Sequence, residues 1–226
     1  MSKRIFIDGN INTELCIIAA DGQEISYFDY SNDLATSKKN NIYLGTVSRV
    51  EPSLQAAFIE FGSEKKAFLP FDEIHPSYFK IPHNEKVIKN EKDDEIDDEK
   101  EAKKRFLSFY RRYKIQDVIK KDQVLLIQIV KEERGTKGAA ITTFISLPGR
   151  YSVLLPNNSS SGGVSKKISN PLDRKRLKRL HDNFILPDGM SLIIRTNAIS
   201  AEDDDIVADF SYLRKLWTKI REDTLK

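Results

Sequence analysis

Residues 42–50 read IYLGTVSRV, residues 54–62 LQAAFIEFG and residues 66–70 KAFLP; after a long interruption come VLLIQIV at 124–130 and AAITTFI at 139–145. Each run is short, apolar and rich in β-branched or aromatic residues, and each is bounded by Pro, Gly or Ser, the pattern of a strand between turns. Five such strands make a small closed barrel.

Working outward, the interruption at 82–113 is the first feature to place. Sixteen of the 21 residues from Glu85 to Arg105 are charged, so the stretch cannot bury enough apolar surface to offset the entropy of ordering it. It reads as an insertion inside the barrel, disordered over 83–101, with 102–114 as a basic, partly helical return arm. Before the barrel, Ile5 to Asp8, Leu15 to Ala20 and Glu24 to Tyr30 read as three strands joined by tight turns, Asp21-Gly22 among them. After it, Arg150 to Leu155 is a further strand, ended by Pro156 and a loop of small residues. A helix is expected from Pro171 to Phe184 with Asn170 as N-cap and Pro171 at the first helical position. The segment SLIIRT (191–196) is another strand. A last helix is expected to open at Ser200 in a Ser200-x-x-Asp203 capping box and to bury Ile206, Phe210, Leu213, Trp217 and Ile220 at helical spacing.

The chain has 226 residues, 39% hydrophobic and 31% charged, a composition that excludes collagen and disorder throughout. No apolar run approaches the roughly 20 residues needed to cross a bilayer, and the first ten residues lack the apolar core of a signal peptide, so cytoplasmic location is expected. The lone cysteine, Cys16, can form neither an internal disulfide nor a Cys-x-x-Cys zinc site. The net charge of +3 conceals a contrast: residues 91–101 (EKDDEIDDEKE) carry −6, leaving +9 on the rest. Basic residues concentrate in Lys103 to Lys121 and in Lys166 to Arg179. Such stretches are either solvated helix faces or attractors of polyanions through counterion release. An acidic tract beside a basic groove could also compete with a nucleic acid for that groove.

Nucleophilic catalysis finds no support: there is no Gly-x-Ser-x-Gly elbow, and His75, His83 and His181 are scattered. Gly135-Thr136-Lys137-Gly138 has the outline of a KH-domain loop, but it joins two strand-like runs and reads as a hairpin turn. Glu202, Asp203, Asp204 and Asp205 are the one run where a metal-dependent hydrolase would be sought. Consecutive helical residues point about 100° apart and do not converge, and acids in a first helical turn are favoured by the helix dipole. Binding features are stronger. Phe58, Phe61 and Phe68 fall near the ends of adjacent strands with Lys65, Lys66, Lys131 and Lys137 interleaved, and OB barrels hold single strands by stacking bases on aromatics within a positive groove. The alternative for each phenylalanine is a place in the barrel core. Arg195-Thr196, at the end of an apolar strand, offers a planar fork and a hydroxyl to a terminal phosphate.

Three stretches, NIYLGTVSRVEPSLQAAFIEFGSEKKAFLPFDEI (41–74), KEERGTKGAAITTFISLPGRYSVLLPNN (131–158) and LPDGMSLIIRT (186–196), together resemble the amino-terminal region of the ribonuclease E/G family. The resemblance implies an α+β, mainly β architecture. Residues 1–36 would be leading strands of an incomplete RNase H-like subdomain, and 37–144 an OB barrel of the ribosomal S-one type with the insertion at 82–113. Residues 145–226 would form an α/β 5′-sensor subdomain recognising RNA with a 5′-monophosphate. It assigns RNA contacts to Phe58, Phe68, Lys131 and Lys137, while Phe61 remains a candidate from the strand pattern alone. It assigns the phosphate pocket to Arg195 and Thr196, with Gly149 and Val153 as backbone and packing positions. Lys166 stands where family members often have arginine, which keeps the charge and loses the bidentate fork.

The family's catalytic carboxylates, which hold magnesium, and its zinc-linked Cys-Pro-x-Cys dimer motif would lie farther along than residue 226. No catalytic or metal-binding residue and no cofactor is therefore expected within these residues; magnesium, zinc and homo-oligomerisation would belong to the full-length enzyme. The expected function is capture of single-stranded RNA and sensing of its 5′ end within an endoribonuclease of RNA processing and decay. The alternative is a stand-alone OB-type RNA adaptor without end sensing.

Overall fold

The computed structural model describes residues 3–10, 14–22, 24–32, 37–80, 110, 112–158 and 162–224. The chain forms two compact units, Met1–Lys38 and Lys39–Lys226. Most of the expected insertion, including the stretch 83–101 for which disorder is expected and most of the return arm, lies outside the described residues.

The first unit is an antiparallel sheet in the order β1 (Lys3–Asn10), β2 (Glu14–Asp21), β3 (Glu24–Asn32). The expected hairpin at Asp21-Gly22 is present, with Gly22 at φ +66°, a conformation open to glycine at no steric cost. A bulge lets Ala19 pair with Tyr27 but Ala20 with Ile25, and the extra residue, Ser26, donates its hydroxyl to the Ala19 carbonyl at 3.1 Å. Ile5, Phe6, Ile7, Ile25, Tyr27, Phe28 and Tyr30 are exposed on this sheet.

In the second unit the five quoted runs become β4 (Ile42–Glu51), β5 (Ala56–Glu60), β6 (Ala67–Pro70), β7 (Val124–Lys131) and β8 (Ala140–Thr142), closed in the order β4-β5-β6-β8-β7. Alternation turns Val47, Ala57, Ile59, Ala67, Leu69, Leu125, Ile127, Ile129 and Ile141 inward into one core, the term that dominates folding. A short helix, α1 (Ile115–Val118), adds Ile115 and Val118 to that core. Phe71, Phe79 and Tyr110 join it as a ring cluster, Phe71 and Phe79 stacked at 5.6 Å between centroids and Phe71 edge-on to Tyr110 at 5.1 Å. The Tyr110 hydroxyl donates to the Ile74 carbonyl, and burial pushes its pKa far above the usual phenol range.

The remaining residues build a sheet in the order β11-β12-β10-β9, from β9 (Leu147–Pro148), β10 (Ser152–Leu155), β11 (Gly163–Val164) and β12 (Ser191–Ile194). Helices α2 (Pro171–Asp182) and α3 (Asp203–Thr224) complete it. Leu147, Leu154 and Leu192 of the sheet pack on Phe210 and Leu213 of α3, and Ile42 and Leu126 of the barrel join the same cluster. Ile194 packs with Leu177 of α2 and Ile206 of α3. Gln128 of β7 is buried beside this junction; its side chain donates to the Asn40 and Ser146 carbonyls at 3.0 and 2.8 Å and accepts from the Ser146 amide at 2.9 Å.

Asn170 caps α2 as expected, accepting from the Leu172 amide at 2.9 Å, although the helix ends at Asp182. Phe184 leaves the helix and sets its ring 4.5 Å from that of Phe210. The expected capping box at Ser200 does not form. Residues Thr196–Ser200 are a 3₁₀ helix instead, and α3 starts at Asp203. The reason is Arg176 of α2, whose guanidinium donates to the carbonyls of Ala198, Ile199 and Ala201 at 2.9, 3.0 and 3.1 Å and to Asp203 Oδ1 at 2.7 Å. It satisfies the carbonyls that end the 3₁₀ turn, so Ser200 belongs to that turn. The strands β9 and β11 are additions to what the sequence reading placed; a two-residue strand leaves no periodic signal.

His75 precedes a 3₁₀ turn at Pro76–Tyr78, where its Nδ1 accepts from the Ser77 amide at 3.1 Å. Burial holds its pKa below the usual 6.5, a backbone hydrogen bond to Asn157 partly offsetting this. The folded state thus disfavours the imidazolium. Above about pH 6.5 both states are neutral and stability is full; as pH falls through 6.5 the unfolded chain takes up the proton first and stability declines. The urea midpoint is expected to fall between about pH 7 and pH 5, with a shallower fall for His75→Asn, whose amide oxygen keeps the Ser77 contact without titrating.

Candidate nucleic-acid interface

Strand register puts five residues in one row around the barrel. Arg49 pairs with Phe58, Phe58 with Phe68, Phe68 with Ala140, and Ala140 with Lys131. Phe58 and Phe68 alternate with the core residues Ala57, Ile59, Ala67 and Leu69, so both face outward. Their rings meet edge-on at 6.0 Å between centroids, and the Arg49 guanidinium lies 4.8 Å over the Phe58 ring, a cation–π geometry. Half-exposed aromatic faces flanked by cations are the surface on which unpaired bases stack.

Two irregularities make this row. Register shifts between Val47 and Arg49 in β4, and between Ile129 and Lys131 in β7. Each bulge inserts one residue and reverses the alternation beyond it. Val47 and Ile129 face the core; strict alternation would send Arg49 and Lys131 there as well, but the bulges leave both exposed. Arg49 was missed in the sequence reading for that reason, since nothing in SRVE marks a bulge.

The other barrel candidates divide. Phe61 is not brought to the row: it sets its ring edge-on to Tyr43 at 5.3 Å and packs against the barrel core. Lys137 is exposed on a tight turn in which the Arg134 and Lys137 amides each donate to the other's carbonyl, at 3.1 and 3.0 Å, with Gly135 at φ +56°. The hairpin reading of that glycine-rich segment therefore holds. The turn is fastened beside β6 by Lys65 Nζ to the Gly135 carbonyl at 2.6 Å and by Phe68 N–H to the Ala139 carbonyl at 2.8 Å. A Cβ at Gly138 would lie 1.9 Å from the Lys66 carbonyl oxygen, so this approach requires glycine. Lys66 Nζ bonds Glu60 at 2.8 Å, and that contact is the main cause holding the Glu60 carboxyl below its usual pKa.

The second cluster sits at one end of the β11-β12-β10-β9 sheet. Arg195 N–H donates to the Tyr151 carbonyl at 2.8 Å, and Arg195 Nη1 to the Gly149 carbonyl at 2.6 Å. Thr196 opens the 3₁₀ turn, and both residues are exposed. Because β11 runs parallel to β12 and Ser165 N–H donates to the Ile194 carbonyl at 2.9 Å, Lys166 leaves β11 at the same end. Val153 pairs with Ile193 on the face away from the helix-packed Leu154 and Ile194. The five residues expected together thus share one sheet end.

Asp209 of α3 holds the loop in that place. Its carboxylate accepts from the amides of Arg150, Tyr151 and Ser152 at 3.0, 3.1 and 2.9 Å and from the Ser152 hydroxyl at 2.7 Å. A Cβ on Gly149 would come within 2.5 Å of Asp209 Oδ2, so glycine is needed for the carboxylate to reach three successive amides. Asp209 has no local sequence signature; it occupies a polar position of an amphipathic helix.

Among the described residues no group of three or more His, Cys, Asp or Glu side chains could hold a metal ion. Asp203, Asp204 and Asp205 lie in the first turn of α3, exposed, with Asp203 joined to Arg176. No described helix is long and apolar enough to cross a membrane.

An OB-type barrel followed by a small α/β region is the class of architecture these residues define. Residues 146–226 match the family described as "Ribonuclease E/G family". Over 220 residues the chain is 39% identical to "Ribonuclease E" of Escherichia coli (strain K12), covering 97% of this chain and 18% of that protein. It is 36% identical over 220 residues to "Ribonuclease E" of Haemophilus influenzae, covering 97% and 21%, and 38% identical over 185 residues to "Ribonuclease G" of Salmonella typhimurium, covering 80% and 32%. The chain belongs to the ribonuclease E/G family and corresponds to its amino-terminal region. It spans about a fifth of the length of the ribonuclease E proteins just described.

Proposed function

We propose that this chain is the RNA-capturing portion of a ribonuclease E/G type endoribonuclease: the barrel row holds single-stranded RNA and the Arg195–Thr196 cluster engages a 5′-monophosphate. The observation that carries the barrel half is the row Arg49–Phe58–Phe68–Ala140–Lys131, which sets two outward aromatic rings between two cations. Bases stack on Phe58 and Phe68 through faces that every base possesses, so sequence tolerance follows, while Arg49, Lys131 and Lys137 meet phosphates. In a duplex those faces are occupied by neighbouring bases.

The end-sensing half is supported by the Arg195 fork. One Nη is committed to the Gly149 carbonyl, which fixes the guanidinium plane, and a guanidinium carries five donors in all. A terminal monophosphate meets the remaining donors, the Thr196 hydroxyl and Lys166. A 5′-hydroxyl lacks the charge for these bonds and a 5′-triphosphate carries extra bulk past them.

Binding of a labelled single strand, measured by fluorescence anisotropy, is expected to exceed that of the same sequence as a blunt duplex, and to weaken linearly on a log–log plot against salt. Equal affinity for duplex and single strand would sink the stacking mode.

A further inference from the structure

Beside the aromatic row the barrel carries a second concavity, a groove of about 620 Å³ bordered by Arg49, Val50, Lys66, Ile119, Lys120 and Lys121. We propose that it is a further nucleotide subsite, in which an RNA strand lying on Phe58 and Phe68 continues past Arg49, setting a base against Val50 and Ile119 and a phosphate among Lys66, Lys120 and Lys121. This rests on the single-strand reading above and extends it to a surface outside the expected contacts.

Chemistry, continuity and rigidity carry the assignment. The floor is apolar, with Val50 half-buried and Ile119 only 2% exposed, while the rim holds four cations. Two carboxylates answer them, Glu60 at 2.8 Å from Lys66 and Glu51 at 3.9 Å from Arg49, so positive charge remains in excess. An apolar floor under a cationic rim complements a nucleotide, whose base is flat and whose phosphate is anionic. Arg49 belongs to both surfaces, lining the groove and lying over the Phe58 ring at 4.8 Å, so a strand passes from one to the other across a single side chain. The lysines stand on a pinned turn: Asp122 N–H donates to the Val47 carbonyl at 2.8 Å, Val47 N–H to the Gln123 carbonyl at 2.9 Å, and Gln123 Nε2 to the Tyr78 carbonyl at 2.6 Å. The bulge at Ser48 that turns Arg49 outward also brings Ser48 Oγ to 2.5 Å from Lys66 Nζ, which draws that lysine to the rim. The bulge at Ser48 thus shapes both the groove and the Arg49 end of the row.

The experiment compares K120A/K121A with the unaltered chain on single-stranded RNAs of graded length, over a salt series. Both lysines are exposed, so folding is expected to be retained, checked by circular dichroism. Binding of the longer RNAs should weaken several-fold, and the slope of log affinity against log salt should shrink by roughly 0.7, the contribution of one phosphate contact on a single strand. Binding of RNAs just long enough for Phe58 and Phe68 should be unchanged. Equal losses on short and long RNAs, meaning general attraction only, would overturn the subsite, as would no loss on either. So would a chain without residues 91–101 that binds RNA more tightly than the full chain only while Lys120 and Lys121 are present, since the groove would then hold the chain's own acidic segment. Failure of the underlying reading looks different: the unaltered chain would not bind the short RNAs, or Phe58→Ala would leave that binding unchanged.

Discussion

Replacing Phe58 and Phe68 together by alanine is expected to weaken binding of single-stranded RNA about 100-fold while the barrel stays folded. Stacking of a base on an aromatic side chain contributes about 1–3 kcal/mol, so two rings acting together supply about 2–6 kcal/mol, a range that contains the roughly 2.7 kcal/mol of a hundredfold change. The rings meet each other edge-on at 6.0 Å and Phe58 also carries Arg49 at 4.8 Å. Single substitutions are therefore expected not to add: losing Phe58 also releases Arg49, and the double variant should lose less than the sum. Neither ring belongs to the barrel core, so the urea midpoint should move little. The contrast is Phe61→Ala. Phe61 packs on that core and against Tyr43, so its loss should lower stability by about 3 kcal/mol with a small effect on RNA affinity. A reversed pattern, with Phe61 governing affinity and Phe58 governing stability, would contradict the reading of the row.

Arg195→Ala is expected to remove preference for a 5′-monophosphate, a loss of about 10- to 100-fold in affinity for that end, with 5′-hydroxyl RNA of the same sequence unaffected. Hydrogen bonds to charged groups contribute about 1.5–3 kcal/mol, which sets that range. Arg195→Lys should fall between, keeping charge and losing the planar fork. Because Asp209 fixes the loop at 149–152 through four hydrogen bonds, Asp209→Ala should also abolish end preference without touching the phosphate. It should in addition lower stability by about 3 kcal/mol, since the amides it satisfies lose their acceptor. The pairing of the two variants separates engagement from positioning: Arg195→Ala changes end preference alone, Asp209→Ala changes end preference and the urea midpoint. Affinities of the unaltered chain that ignore the 5′ end would instead favour an RNA adaptor without end sensing.

Much of the fold was legible because local chemistry and tertiary demand agree. The five barrel strands alternate between core and solvent, and Val47, Ile59, Leu69, Ile127 and Ile141 could only point inward. Asn170-Pro171 starts a helix by the cap and the fixed φ alone, before any packing is known. At Ser200 a good cap was overruled because Arg176, distant in sequence, satisfies the carbonyls of Ala198, Ile199 and Ala201 in a different turn. The strands β9 and β11 left no trace because two residues have no period.

The site divides along the same line. Sequence by itself determined the family, the barrel, and the candidates Phe58, Phe68, Lys131, Lys137, Arg195 and Thr196, because residue types bearing aromatic faces or fixed charge announce their chemistry wherever they fall. Only the tertiary structure decided which of them lie side by side. Bulges at Ser48 and Val130 reversed the alternation so that Arg49 and Lys131 face outward at the two ends of one row, and the same closure of the barrel set Phe61 against Tyr43 instead. A bulge is a property of paired backbones, set by the register of two strands, and a single strand's sequence does not contain it. For the same reason Asp209 is invisible along the chain: its function exists only where α3 lies under the loop at Gly149.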